Sequence, residues 1–103
     1  MDRVIIVSGG RLGDAEFFRR RVSAVKNRLL VACDGGARHL ATLGIGPDVI
    51  IGDMDSLSAE ALASWERRGV KIVRYPANKD FTDTQLALDY ALSCRPGAVE
   101  IWG

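Results

Sequence analysis

Five aspartates carry whatever chemistry this sequence holds. Asp34 follows Leu29-Leu30-Val31-Ala32-Cys33, Asp53 and Asp55 follow Val49-Ile50-Ile51-Gly52, and Asp80 and Asp83 follow the apolar stretch that ends at Pro76. Taken singly, each is more simply a helix cap or a turn former. Together, at the ends of successive apolar runs, they imply a shared acidic crevice. Bare carboxylates at that range repel: a pair 4 Å apart costs about 4 kcal/mol at an effective dielectric of 20. Solvent, raised pKa values, the neighbouring Lys79 or a bound cation must offset this. A ligand set made only of carboxylate oxygens, with no His or Cys spacing beside it, suits Mg2+ or Mn2+ better than zinc.

Glycines accompany the aspartates. Ser8-Gly9-Gly10 ends the first apolar run, and Gly35-Gly36 follows Asp34. Backbone N–H groups of such loops, at helix N-termini, suit anions. Gly10, Gly35 and Gly36 are therefore candidate phosphate-binding positions, although glycine pairs are ordinary in strand–helix turns. Neither a Walker A pattern nor G-x-G-x-x-G occurs. Magnesium shares its shell with phosphates readily, so carboxylates and glycine loops together imply a magnesium–nucleotide site.

The elements that must position these residues alternate. Val4–Val7, Leu29–Cys33, Val49–Ile51, Val70–Tyr75 and Val99–Trp102 read as strands, the first three apolar enough to be buried on both faces. Between them lie helical stretches. One is capped by Asp14 and runs to about Asn27, with Phe18, Val22 and Val25 inward. The next is short and ends near Gly44. A third is capped by Ser58, with a Leu57–Leu62 staple and Trp65 on its apolar face. The last opens on the capping-box pair Thr82 and Gln85, with Leu86, Tyr90, Ala87 and Ala91 inward. Alternation with short connections implies an α/β fold: a Rossmann-like three-layer sandwich, with a mainly parallel sheet of about five strands and helices on both faces. In such sheets ligands bind outside the carboxyl ends of the strands, where the aspartates fall.

Composition bounds the function. The 103 residues fit one domain, 1–103. Fourteen basic against 13 acidic residues leave a net charge of +1, which argues against nucleic acid or a membrane surface as partner. No apolar run approaches membrane length, and the opening Met1-Asp2-Arg3 leads into too few apolar residues for a signal peptide. Arg19-Arg20-Arg21 reads as a solvated helix face, His39 as a surface or capping residue, and Trp65 and Trp102 as packing. Cys33 and Cys94 lack metal spacing; Cys33 reads as a small buried hydrophobe, and a reduced, cytoplasmic setting is expected.

The motifs Asp34-Gly35-Gly36-Ala37, Gly52-Asp53-Met54-Asp55-Ser56 and Asp80-Phe81-Thr82-Asp83, in this order and with Pro47-Asp48 before the second, resemble those of thiamin pyrophosphokinases. The resemblance covers nearly the whole chain. It implies Mg2+-dependent transfer of pyrophosphate from ATP to thiamin, giving thiamin diphosphate and AMP. It implies that Asp53, Asp55 and Asp83 hold the metal and that Asp34 is a further catalytic carboxylate, the first candidate to accept the alcohol proton. Ser56, Lys79 and Thr82 are placed near phosphates or substrate; Asp80 belongs there less securely, since it can serve as a cap. Family members are about twice as long, continue into a β-sandwich that helps form the thiamin site, and act as homodimers, so this chain is expected to be a partial enzyme. Rival readings are a pterin-alcohol diphosphokinase on the same scaffold, a haloacid-dehalogenase-like phosphatase, and a non-enzymatic Mg–nucleotide-binding module.

Overall fold

The computed structural model describes residues 2–10, 13–76 and 82–102. Strands β1 (Arg3–Val7), β2 (Arg28–Cys33), β3 (Val49–Gly52), β4 (Lys71–Arg74) and β5 (Ala98–Trp102) alternate with helices α1 (Ala15–Ala24), α2 (Gly36–Leu43), α3 (Ala59–Arg67) and α4 (Asp83–Ser93). The strands form one sheet in the order β4-β3-β2-β1-β5, and every pairing is parallel. The α/β architecture expected from the alternation is thus present, with all five strands parallel.

The strand order explains how the helices are shared between the faces. From β1 to β4 the chain steps steadily to one side, and right-handed crossovers put α1, α2 and α3 on one face. There Phe18, Val22, Ala37, Leu40, Leu62 and Trp65 pack against Ile5, Val7, Leu30, Ala32 and Ile50. The step from β4 back to β5 reverses direction, so α4 crosses the opposite face. Its Ala87 and Ala91 lie on Val4, Ile6, Val31, Cys33, Val49 and Ile51. Two alanines in this stripe allow α4 to approach the sheet closely. Leu88 and Tyr90 flank them, whereas Leu86, expected inward, is only half-buried and joins neither core cluster.

The signals that bound the helices act as their chemistry dictates. Asp14 accepts from the Phe17 N–H, Ser58 from Ala61 N–H, and Thr82 with Gln85 completes a capping box. Gly44 closes α2 at φ 71°, a left-handed turn that glycine adopts without a Cβ penalty. α1 ends at Ala24, three residues short of the expected Asn27; Val25 is already extended and still packs on the core. Gly36 sits where α2 presses on the end of β1. A Cβ there would lie 2.1 Å from the Val7 carbonyl oxygen, so only glycine allows this contact.

The arginine run behaves differently from a merely solvated face. Arg21 reaches the carboxylate of Glu100 on β5, which Arg3 also contacts, and the Trp102 indole N–H donates to it. Arg19 donates to the Leu43 carbonyl. Arg20 remains exposed. Trp102 packs against Phe17 and Phe18, and Trp65 is buried, as packing residues should be. Both cysteines are free, with Cys33 buried.

Candidate active site at the carboxyl edge of the sheet

A parallel sheet sends every strand's carboxyl end to one edge, so residues far apart in sequence meet there. Asp34 leaves the end of β2, and Asp53 and Asp55 leave the end of β3, its neighbour. One carboxylate oxygen from each of the three lies within 4.8 Å of the others. Burial is graded across the triple: Asp34 is buried at 1% exposure, Asp53 is half-buried and Asp55 is exposed.

The turn after β3 aims two of these groups outward by anchoring the residue between them. Met54 takes a left-handed φ of 67° and inserts its side chain into the core beside α3. Such a φ is uncommon outside glycine, and burial of the thioether chain offsets its cost. The Asp53 side chain accepts the Asp55 N–H at 3.1 Å, closing an Asx turn. Ser56 donates its hydroxyl to Asp55 at 3.3 Å. The turn therefore holds both carboxylates at the rim while Met54 fixes it from below.

Asp34 is held from the other side. Its Oδ1 accepts the Gly35 N–H at 2.7 Å. Its Oδ2 is buried with no hydrogen-bond donor, an expensive condition for an anionic oxygen. Gly52 lines this oxygen closely: a Cβ at Gly52 would stand 3.2 Å from the Asp34 Cγ, and the backbone φ there is 146°. Burial, and then the nearby Asp83 carboxyl, raise the Asp34 pKa above the usual carboxylate range. Asp55 is also raised, chiefly by its contact with Asp53, whereas the Asp55 N–H holds Asp53 below the ordinary value. Neighbouring carboxylates whose proton affinities are driven apart mark a site that gathers negative charge, and among the described residues no Lys or Arg is ion-paired with them.

Not every expected residue arrives in the same way. Asp83, assigned to metal by the resemblance, lies outside the triple; it is the first residue of α4 and meets the cluster through Asp34. Thr82 stands beside it, but its hydroxyl oxygen is engaged as the α4 cap, accepting the Gln85 N–H at 3.1 Å. Gly35 and Gly36 open α2 next to Asp34, and Gly10 follows β1 on the same edge. Gly9 and Gly35 bring their two loops into backbone contact: a Cβ at Gly35 would lie 3.0 Å from the Gly9 Cα. Lys79 and Asp80 lie outside the described residues. His39, expected as a surface or capping residue, instead reaches with its ring from α2 to the Gly10 carbonyl. A polar residue one helical turn after a glycine helix start was the available signal.

These features define a class: a parallel α/β domain with an oxygen-only acidic site at the strand ends, flanked by glycine turns. Residues 22–102 match the family described as thiamin pyrophosphokinase, catalytic domain, and the chain belongs to that family. It is 35% identical over 78 residues to the thiamine pyrophosphokinase of Bacillus subtilis strain 168, a match covering 76% of this chain and 36% of that protein. Crystal structures agree. A thiamin pyrophosphokinase family protein from Enterococcus faecalis superposes with a TM-score of 0.73 at 31% identity, covering 97% of this chain and 46% of the other. The Bacillus subtilis enzyme gives 0.74 at 30% identity, covering 98% and 46%. The chain therefore spans less than half the length of these relatives. The matches favour this family over the pterin-alcohol, dehalogenase-like and non-enzymatic readings.

Proposed function

We propose that this chain supplies the divalent-cation and ATP-binding part of a thiamin pyrophosphokinase. The observation that carries the reading is the convergence of Asp34, Asp53 and Asp55 from two adjacent strand ends. The donor set fits magnesium: three carboxylates, no sulfur or imidazole, and one buried oxygen that lacks a donor. Asp53, Asp55 and the Oδ2 of Asp34 would hold the ion, with Asp83 reinforcing the negative field from behind Asp34. A divalent ion there would withdraw charge from the polyphosphate oxygens.

The reaction is the transfer of a pyrophosphoryl group. The thiamin hydroxyl oxygen bonds the β-phosphorus of ATP, the bond from that phosphorus to the α-bridging oxygen breaks, and AMP leaves. With Asp34 engaged as a ligand in this arrangement, the hydroxyl proton expected from the sequence to pass to it is released to water at the open rim. The protein's part is positional. Met54 anchors the turn, the Asx hydrogen bond orients Asp53, and the N–H groups at the start of α2 and the Gly9-Gly10 loop face the polyphosphate. Ser56 and Lys79 belong to this phosphate region, and the free O–H proton of Thr82 can reach an acceptor there.

A thiamin pocket and a homodimeric assembly complete this reading, in a family whose matched relatives are more than twice as long as this chain. A reducing, cytoplasmic setting is consistent with two free cysteines. Among the described residues no helix is long and apolar enough to cross a membrane.

Calorimetric titration with Mg2+ and an ATP analogue tests the site. Asp53→Asn and Asp55→Asn should each weaken magnesium-dependent nucleotide binding by about 100-fold or more, roughly 2.7 kcal/mol. Unchanged binding in both variants would end the proposal. Formation of AMP and thiamin diphosphate, followed by chromatography, tests turnover.

A further inference from the structure

The loop after β1 carries no acidic residue of the cluster, yet it faces the same edge and must hold its shape if its amides are to meet phosphate. Two contacts fix it through glycine: Gly36 against the Val7 carbonyl, and Gly35 against Gly9. Both rely on the absence of side chains and set only how close the segments come. They leave open the orientation of the Gly10 carbonyl, because glycine permits more than one backbone conformation.

His39 removes that freedom. It lies one turn into α2, half-buried, and its Nε2 stands 2.5 Å from the Gly10 carbonyl oxygen, 29 residues earlier in the chain. A carbonyl oxygen can only accept, so Nε2 carries the proton. A side chain on a rigid helix thus turns the Gly10 carbonyl toward α2. No residue of the acidic cluster takes part in this contact.

We infer that His39 is a positioning residue for the phosphate-binding loop. It donates from Nε2 to the Gly10 carbonyl and so presets the Gly9-Gly10 turn that meets the nucleotide's polyphosphate. The inference rests on the nucleotide reading above. Its energetic content is preorganisation: without the bond, the loop must lose its freedom when the ligand arrives, and affinity falls.

The test uses the full chain, magnesium and α,β-methylene-ATP as the probe. His39→Ala should weaken binding about 3- to 10-fold, the range expected for one hydrogen bond, while the melting temperature moves little. His39→Gln, whose amide can donate from a similar position, should recover most of the loss. Nitrogen-15 spectra of the imidazole should show a proton on Nε2 of the unaltered chain before any ligand is added. Equal binding by the unaltered and alanine forms would overturn the role of His39, as would a glutamine variant no better than alanine. Failure of the unaltered chain to bind the probe is a separate result. It would remove the nucleotide reading, and this role with it, even where the Nε2 proton is seen.

Discussion

Two charged clusters in this small domain follow opposite rules. At the β1–β5 side, one carboxylate, Glu100, sits between the guanidiniums of Arg3 and Arg21 and accepts from the Trp102 indole. It is satisfied, and its pKa is held down to about 2, mainly by the Arg21 hydrogen bond. At the carboxyl edge of β2 and β3, three carboxylates converge and, among the described residues, no cation is recorded in an ion pair with them. Two of their pKa values are raised, and a buried oxygen has no donor. The first cluster favours the fold. The second costs stability unless a proton or a cation relieves the repulsion. A charged group's worth therefore depends on whether its compensation is internal or has to be brought in.

Three substitutions sharpen this contrast. The largest effect is expected from Gly52→Ala, which pushes a methyl into the Asp34 carboxyl from a backbone that disfavours a side chain. It should cost about 2 kcal/mol of stability and disturb magnesium binding as well. Chemical denaturation alongside metal titration would show both, and loss of neither would mean the Asp34 carboxyl is freer than the geometry implies.

Next in size is Asp34→Asn. It keeps the acceptor for the Gly35 N–H, removes a buried charge and offers Asp83 a donor. Without metal it should stabilise the domain by about 1 kcal/mol at neutral pH while reducing magnesium affinity, a trade of function for stability. The pH dependence follows from the raised pKa of Asp34 in the fold. An acid that binds its proton more tightly when folded favours the fold at low pH. That advantage fades as pH rises from the unfolded-state value through the folded one. Metal-free protein should accordingly lose stability over that window, and the Asn variant should lose less.

The smallest change is Glu100→Gln. Here the pKa is depressed, so the sign reverses. The contribution is present above the unfolded value near 4.5 and is lost as pH falls toward about 2. Discounted for the partial exposure of all three partners, it amounts to about 0.5 kcal/mol. Melting curves between pH 2 and 5 should flatten in the variant. An unaltered acid limb would mean that the arginines contribute little.

The alternation of apolar runs with capped helices, the acidic and glycine punctuation at strand ends, and the family all stood in the linear chain. Local chemistry carries these signals: β-branched runs, a capping box at Thr82 and Gln85, and a staple at Leu57 and Leu62 need no distant partner to be recognised. What required the folded chain were relations between residues distant in sequence. Arg21 read as solvated because Glu100 lies 79 positions away. His39 had no evident use until Gly10 came within reach. The acidic group was legible as a set; which three of its members lie within one ion's reach was not. Asp34 joins Asp53 and Asp55 because β2 and β3 are neighbours in the sheet, while Asp83 enters from α4 behind Asp34. Local sequence determined which elements form and what chemistry their ends could carry. Only the strand order and the side on which α4 crosses decided which side chains share a charge, because electrostatic and hydrogen-bond energies depend on separation in space, and separation along the chain does not fix that.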